Sequence, residues 1–434
     1  MKRLDGYRSD ISRCVRCGAC RSTCPTFGVI NREAASARGK ISLADAFIKG
    51  EVELSDTFIK HISECVLCAA CQESCPNDVP VPDIIMAARA EAVRGRGLPV
   101  LASAIMKGLR NPDNFISGTL KIASMVQGLV FKKVPGESGL HRRFPLPLIQ
   151  GERLVPPLAR RFLLDIIEKE RKGHRGDNGH HKRGIKVGFF AGCMINYIMP
   201  DIGIASIKVL KKAGATVIVP SGQTCCGMPA LGMGDVDDAR SLALKNLEAF
   251  EEQDLDFITT ACATCSEGLK RRFKDLLEDE GPEIKRRVEV FCSKVRDITE
   301  LLVNDIGLTS LVLDDQSPTS EKIVTYHDPC HLRRGQGIKE EPRELIDLAG
   351  LKRKEMKHPC RCCGLGGSFN ITNYEFSMEI NRGKALDIKN TGADIVATAC
   401  PGCIMQLRDG LHRVGAKTEV RHVVELLAEK VGEG

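Results

Sequence analysis

Short apolar runs of strand length alternate with amphipathic stretches in the second half of the chain. One such stretch covers 202–212 and ends before Gly214, as a helix followed by a glycine does. The apolar runs lie at 185–191, 215–220, 257–261, 323–327 and 395–399. Strands that alternate with helices favour parallel sheets, so we predict two α/β units, over 185–310 and 321–434.

The first 97 residues carry a different pattern. Apolar residues recur at helical spacing in 42–49 and 55–64, and 83–94 follows two prolines and begins with an acid, as helix starts do. This segment has no alternating runs rich in Val and Ile. We therefore predict an all-α domain over 1–97 in an α+β multidomain protein, with a helical and basic linker over 98–184.

Cysteine content narrows the chemistry. The 434 residues include 20 cysteines and no tryptophan. The first six residues lack the apolar run of a secretory signal, so a disulfide scaffold, which needs an oxidising compartment, is not expected. No stretch reaches the roughly 18–20 apolar residues that span a bilayer. In a reducing cytoplasm this many thiols indicates a metal protein.

Eight cysteines form a twelve-residue pattern, Cys-x2-Cys-x2-Cys-x3-Cys-Pro, that occurs twice. This spacing is typical of ferredoxins with two [4Fe–4S] clusters: three cysteines on one tight loop reach three irons, and the fourth reaches the other cluster. The predicted ligand sets are Cys14, Cys17, Cys20 and Cys75 for one cluster, and Cys65, Cys68, Cys71 and Cys24 for the other. A pair of zinc sites is the alternative, but zinc takes four ligands from two paired knuckles and has no use for this eight-cysteine arrangement.

Ten further cysteines form a second repeat. Residues 260–265 match 398–403, and 295–302 match 420–427, so we infer a duplicated domain. Ligands of parallel sheets collect beyond the carboxyl ends of the strands, which predicts that five thiolates per copy converge at one sheet edge. The cysteines are Cys193, Cys225, Cys226, Cys262 and Cys265 in the first copy, and Cys330, Cys362, Cys363, Cys400 and Cys403 in the second.

These motifs carry a resemblance. In each copy a single cysteine is followed by a Cys-Cys-Gly and then a Cys-x2-Cys, which resembles the cysteine-rich CCG domain of heterodisulfide reductase. The same domain occurs in iron–sulfur subunits of glycolate oxidase and respiratory lactate dehydrogenases. The order of the domains is similar to the D-type chain of heterodisulfide reductase and to those dehydrogenase chains, and 141–149 with 153–159 resemble the glycolate and lactate branch.

The resemblance implies cofactors. Each complete CCG motif of the heterodisulfide reductase family holds a non-cubane [4Fe–4S] cluster, so the ten cysteines would hold one or two clusters beyond the two cubanes. Many glycolate oxidase subunits have lost some of these cysteines, whereas this sequence keeps all ten. Cys292 and Cys360 remain; we predict that both are free thiols, although Cys360 lies close enough to Cys362 to substitute as a ligand.

Three histidines flank the second copy: His327, His331 and His358. One reading makes one of them a proton donor for thiol chemistry; the other, which we expect, is a loop histidine that hydrogen-bonds the strand end. The glycines at 364–367 lack the strand, helix and acid of a nucleotide site, and no flavin or nicotinamide fingerprint occurs on the chain. No catalytic residue is assigned.

The net charge of +7 comes from one segment. Residues 132–186 hold 14 Lys and Arg against 6 Asp and Glu, and 171–184 reads as a flexible tether. Upstream, 98–134 can form one or two amphipathic helices; we expect them to pack on a partner or on the second domain, with membrane-surface docking as the alternative. Nucleic-acid motifs are missing, so no nucleic-acid partner is expected.

These features favour an electron-transfer subunit. An FAD-containing partner would oxidise a 2-hydroxy acid such as lactate or glycolate, and the clusters would pass electrons one at a time to a quinone or another carrier, such as an electron-transfer flavoprotein. The protein would be a cytoplasmic oxidoreductase subunit, located in the cytoplasm or peripherally at the inner face of the membrane. The alternatives are a disulfide or heterodisulfide reductase that works at the CCG clusters, and a zinc protein without redox chemistry.

Overall fold

The N-terminal part of the computed structural model is built from helices. The structure describes residues 1–110, 115–134, 139–142, 153–173, 184–307 and 321–431, and residues 1–110 contain no strand. The helices here are α1 Arg8–Ser12, α2 Ala19–Thr23, α3 Pro25–Ile30, α4 Ala37–Ile48, α5 Asp56–Ser63, α6 Ala70–Glu73, α7 Val81–Arg96 and α8 Val100–Arg110, with 3-10 turns at Leu4–Tyr7 and Glu33–Ala35.

Serine caps fix where two of these helices begin. Helix α4 starts five residues before the predicted 42–49, because the Ser36 side chain accepts a hydrogen bond from the Gly39 N–H at 3.1 Å. Ser55 accepts from the Phe58 N–H at 3.2 Å in the same way at the start of α5. A capping serine satisfies one of the N–H groups that a helix start leaves without a partner.

The segment between the domains is only partly helical. Helices α9 Phe115–Val130 and α10 Leu163–Gly173 flank a short antiparallel pair of strands, β1 Phe131–Lys133 and β2 Leu140–Arg142, which the prediction of a helical linker missed. Most of the predicted tether, residues 174–183, lies outside the described residues. Within the described ranges, no helix combines the length and the apolar character needed to cross a membrane.

The first repeat, residues 184–307, contains a four-stranded parallel sheet with the order β4-β3-β5-β6. Its strands are β3 Lys186–Phe189, β4 Thr216–Ile218, β5 Phe257–Thr260 and β6 Val295–Asp297. Its helices are α11 Gly192–Tyr197, α12 Pro200–Lys212, α13 Met228–Met233, α14 Val236–Glu251, α15 Ala263–Glu267, α16 Phe273–Leu276, α17 Pro282–Lys294 and α18 Ile298–Glu300, with π-helical turns at Gly268–Arg272 and Leu301–Gly307.

The second repeat, residues 321–431, contains a parallel sheet with the equivalent order β8-β7-β9-β10. Its strands are β7 Ile323–Tyr326, β8 Lys352–Arg353, β9 Ile395–Thr398 and β10 Glu419–His422. Its helices are α19 Cys330–Gln336, α20 Glu341–Leu348, α21 Ser368–Thr372, α22 Tyr374–Lys389, α23 Pro401–Arg413 and α24 Val423–Ala428.

The five predicted strands are present, each one to three residues shorter than expected. Strands β6, β8 and β10 were not predicted, because two to four residues with charged side chains among them are too short to show a period of two. The two repeats share one apolar core, to which Phe189 and Val396 both contribute. Backbone contact joins them at the carboxyl ends of β5 and β9, where the Ala263 N–H donates to the Ala399 carbonyl at 3.2 Å.

Candidate metal centres

The five cysteines of the first repeat come together beyond the carboxyl end of its sheet. Cys193 and Cys225 have their sulfurs 3.8 Å apart. The Cys226 thiol contacts those of Cys225 and Cys265, and Cys265 also contacts Cys262. All of them except Cys193 are buried. The predicted convergence of five thiols at one sheet edge is therefore found in this repeat.

The second repeat reproduces the arrangement. The sulfurs of Cys363 and Cys403 lie 3.6 Å apart. Cys363 also contacts Cys362, and Cys403 contacts Cys400. Cys330 lies next to Cys362 and Cys363 and is half-buried. We call the two groups the first and second cysteine sets.

A left-handed glycine shapes the Cys-Cys loop in both sets. Gly227 has φ +80° and Gly364 has φ +89°, and a Cβ on Gly364 would lie 2.5 Å from the Ser377 carbonyl oxygen. With the glycine in this conformation, the Gly364 N–H donates to the Cys362 sulfur at 3.3 Å. Only glycine adopts such a conformation without steric cost, so the third letter of the motif serves the placement of the thiols.

The two sets touch each other. Cys262 of the first set contacts Cys400 of the second, and the Thr264 hydroxyl lies 3.7 Å from the Cys400 sulfur. The same hydroxyl lies 2.9 Å from Nδ1 of His331. His331 therefore bonds across to the other repeat, and not to the end of its own strand as expected.

Four cysteines of the N-terminal domain line one pocket together with the buried Lys40: Cys24, Cys65, Cys68 and Cys71. This is the predicted set in which the fourth cysteine of the first loop joins three from the second. Cys14, Cys20 and Cys75 lie half-buried against the domain's apolar core, and Cys17 is exposed. The grouping of Cys75 with the first three cysteines stays a prediction.

One contact links this pocket to the second cysteine set. The Cys68 thiol contacts that of Cys362, and both belong to a small buried cluster with Phe369. Arg334 crosses the same boundary: its guanidinium donates to the Cys360 carbonyl at 3.0 Å and binds Glu73 at 2.7 Å. The sulfurs thus run without interruption from the pocket, through the second set, to the first.

Buried cations lie among these sulfurs. Lys40 is next to Cys24 and Cys65, and burial lowers its pKa. Lys384 stands near Cys363 and donates to the Pro359 carbonyl at 3.0 Å, and burial lowers its pKa to about 8. Positive charge near thiolate groups reduces the cost of keeping them ionised in a low-dielectric interior.

The donor sets fit iron–sulfur clusters. All 20 cysteines are unpaired thiols, and burial raises the pKa of Cys65 and Cys71, so without a metal the thiols would be neutral and poorly hydrogen-bonded. A metal ion reverses this, because a coordinating thiol loses its proton. Soft thiolate groups select iron–sulfur clusters or zinc, and groups larger than four exceed what one zinc ion takes.

His327 contradicts the expected hydrogen bond to the strand end. Its ring is buried, and neither nitrogen has a hydrogen-bond partner in the described structure. A ring nitrogen instead lies within 4.8 Å of the sulfurs of Cys363 and Cys403. Burial, assisted by nearby Lys384, lowers the pKa of His327 to about 3, so the imidazole is neutral. His358 is exposed.

Sequence reasoning missed His422, which lies near Cys400. Its Nδ1 accepts from the Val424 N–H at 3.1 Å and caps α24. Asp297 holds the matching place in the first repeat, where it caps α18, so the alignment of 295–302 with 420–427 could have identified the position. Cys292, predicted to be free, is buried and donates to the Leu269 carbonyl at 3.1 Å.

Comparison with known proteins identifies both kinds of domain. A family described as a cysteine-rich domain, CCG, matches residues 187–270 and 324–408, and a 4Fe-4S dicluster domain matches residues 10–79. The fold is also similar to a hypothetical protein from Helicobacter pylori, with a TM-score of 0.54 and 11% identity, over 99% of this chain and 76% of that one.

Whole-chain relatives belong to oxidoreductases. The probable glycolate oxidase iron-sulfur subunit of Bacillus subtilis is 30% identical over 99% of this chain and 96% of its own length. The B chain of the CoM/CoB fumarate reductase of Methanothermobacter marburgensis is 30% identical over 95% and 71%. Lactate utilization protein A 2 of Bacillus cereus is 31% identical over 56% of this chain and 98% of its own.

We expect Gly364→Ala to remove iron from the second set and to destabilise the protein. The left-handed backbone costs an alanine about 1–2 kcal/mol, and the Cβ would also collide with the Ser377 carbonyl. Gly392→Ala is the matched control, since Gly392 has φ +68° and open space around its Cβ. Thermal unfolding and iron content measure both effects. Equal losses in the two variants would show that the collision contributes nothing.

Proposed function

The chain belongs to the family of iron–sulfur subunits that includes the probable glycolate oxidase subunit of Bacillus subtilis, and from that premise we propose that it is the electron-transfer subunit of a flavin-dependent lactate or glycolate dehydrogenase complex. Like its relatives, it is an oxidoreductase subunit with an iron–sulfur role. The catalytic partner would carry FAD, and this chain would carry neither flavin nor nicotinamide.

We assign the cysteines to four centres. In the N-terminal domain, residues 1–97, two cubane [4Fe–4S] clusters would be held by Cys14, Cys17, Cys20 and Cys75, and by Cys65, Cys68, Cys71 and Cys24. The first and second cysteine sets, in domains 185–310 and 321–434, would hold the others as CCG clusters. Segment 98–184 links these domains. When bound, such clusters accept and release one electron each.

The observation that carries the proposal is the unbroken line of sulfurs. Contacts join the first set to the second through Cys262 and Cys400, and the second set to the dicluster domain through Cys362 and Cys68. Such a line suits the transfer of single electrons between a two-electron flavin and a distant acceptor, whichever end the electrons enter.

The chain's own groups would hold and tune these centres. The Gly364 N–H donates to a thiol of the second set, and Lys40 and Lys384 supply positive charge. Hydrogen bonds to the sulfurs and the net charge around them set reduction potentials. Burial of the thiols keeps water away from both cysteine sets.

Helix α9 supports a peripheral position at the inner face of the membrane. Ile122, Met125, Val126 and Leu129 are exposed, Met125 by 81%, and their spacing puts them on one face of the helix. The exposed Lys132 and Lys133 follow directly. An apolar face beside basic residues suits a partner or a surface at which electrons pass to a quinone, another carrier or an electron-transfer flavoprotein.

A second candidate function is reduction of a disulfide. It is favoured by one observation: two complete five-cysteine sets meet at Cys262 and Cys400. In that reaction each of two centres would give one electron, the sulfur–sulfur bond would break, and two protons would complete two thiols. The same line of sulfurs would then deliver electrons to the meeting point.

The native complex distinguishes the two functions. We expect the anaerobically isolated chain to co-purify with a flavoprotein, to hold about 16 irons in four clusters, and to lose cluster absorbance when lactate or glycolate is added. A chain that isolates alone and ignores both acids contradicts the dehydrogenase. Perturbation of its EPR spectrum by a disulfide would instead support the reductase, and stoichiometric zinc without iron would contradict both.

Arg334→Leu tests the crossing between the dicluster domain and the second set. The change leaves Glu73 and the Cys360 carbonyl without their partner, and each unsatisfied buried group costs about 1–3 kcal/mol. We expect slower electron transfer across this boundary in rapid-mixing optical experiments, with full iron content. The control is Arg382→Leu, whose side chain is 65% exposed. Unchanged transfer in Arg334→Leu would contradict this route.

A further inference from the structure

His327 is a buried polar side chain that its protein surroundings do not explain. It follows β7 directly and is 1% exposed. Neither ring nitrogen has a hydrogen-bond partner among the described residues. A buried polar group without a partner costs about 1–3 kcal/mol, so the imidazole calls for a ligand or a function.

The ring stands at donor distance from the second cysteine set. One ring nitrogen and the sulfurs of Cys363 and Cys403 all lie within 4.8 Å of one another, and those sulfurs are 3.6 Å apart. Two donors at about 2.0–2.3 Å from a single metal ion are themselves separated by roughly 3–4 Å. The three atoms are therefore spaced as neighbours on one centre are.

The first repeat shows that the scaffold does not need an imidazole here. Phe190 holds the matching position after β3, and its ring packs in the apolar core 5.9 Å from that of Phe250. An apolar ring thus fills the equivalent space in the same fold. The polar ring in the second repeat adds a nitrogen donor to its cysteine set that the first set lacks.

We propose that the His327 imidazole is a sixth donor of the second centre, beside Cys330, Cys362, Cys363, Cys400 and Cys403. This inference rests on the proposed assignment of a cluster to that set. A neutral nitrogen donor raises the reduction potential of an iron–sulfur centre relative to thiolate ligation. The second centre then has a higher potential than the first, and electrons pass from the first to the second downhill.

The direct test is pulsed EPR on the reduced holoprotein, grown with 15N-histidine. We expect a nitrogen coupling that changes with the label in the wild-type protein and vanishes in His327→Phe. The substituted residue is the one that the first repeat carries at this position, so the variant should fold. We also expect the midpoint potential of one centre to fall in this variant.

His422→Asn is the matched control, because His422 is the other buried histidine beside this set and asparagine can keep its helix cap. The coupling should persist in this variant. A label-insensitive wild-type spectrum, or a coupling that survives in His327→Phe, would overturn the inference. The wild-type measurement needs no variant, and iron-free protein would instead count against the proposed function.

Discussion

Thiolates repel one another, and the structure collects ten of them where the carboxyl ends of two parallel sheets meet. This assembly needs positive charge among the sulfurs, which bound iron would supply together with side chains such as Lys384. The requirement explains why the motif places its cysteines on loops after strands, where backbone N–H groups are free to donate to sulfur. It also explains why the Cys-Cys loop needs a glycine at 227 and 364, since a Cβ there would meet the backbone of the following helix.

The sequence was sufficient for the features that are local in the chain. Cysteine spacing indicated the dicluster domain and both CCG repeats, and apolar runs located five of the eight strands in the two large sheets. What it could not show are contacts between distant segments. Cys68 meets Cys362, and Cys262 meets Cys400, through packing between domains that leaves no periodic signal. The isolated imidazole of His327 was misread for the same reason, because its neighbours come from separate loops.

Duplication has given two similar scaffolds with different surroundings for the sulfurs. Strand order, the glycine in the Cys-Cys loop and the capped helix after the fourth strand are common to both repeats. The side chains beside the thiols differ: Phe190 and Asp297 in the first repeat stand where His327 and His422 stand in the second. Since charge and hydrogen bonding tune iron–sulfur potentials, two copies of one fold can hold centres that differ in potential.

The central claim is that the sulfurs form one continuous path from the first set, through the second, to the dicluster domain. Magnetic coupling between the reduced centres tests it most directly, because paramagnets this close broaden and relax one another. The account predicts that the EPR signals of the dicluster and of the second centre split or broaden when both are reduced, and that Cys362→Ser simplifies the dicluster signal. Additive spectra from magnetically isolated centres would contradict it.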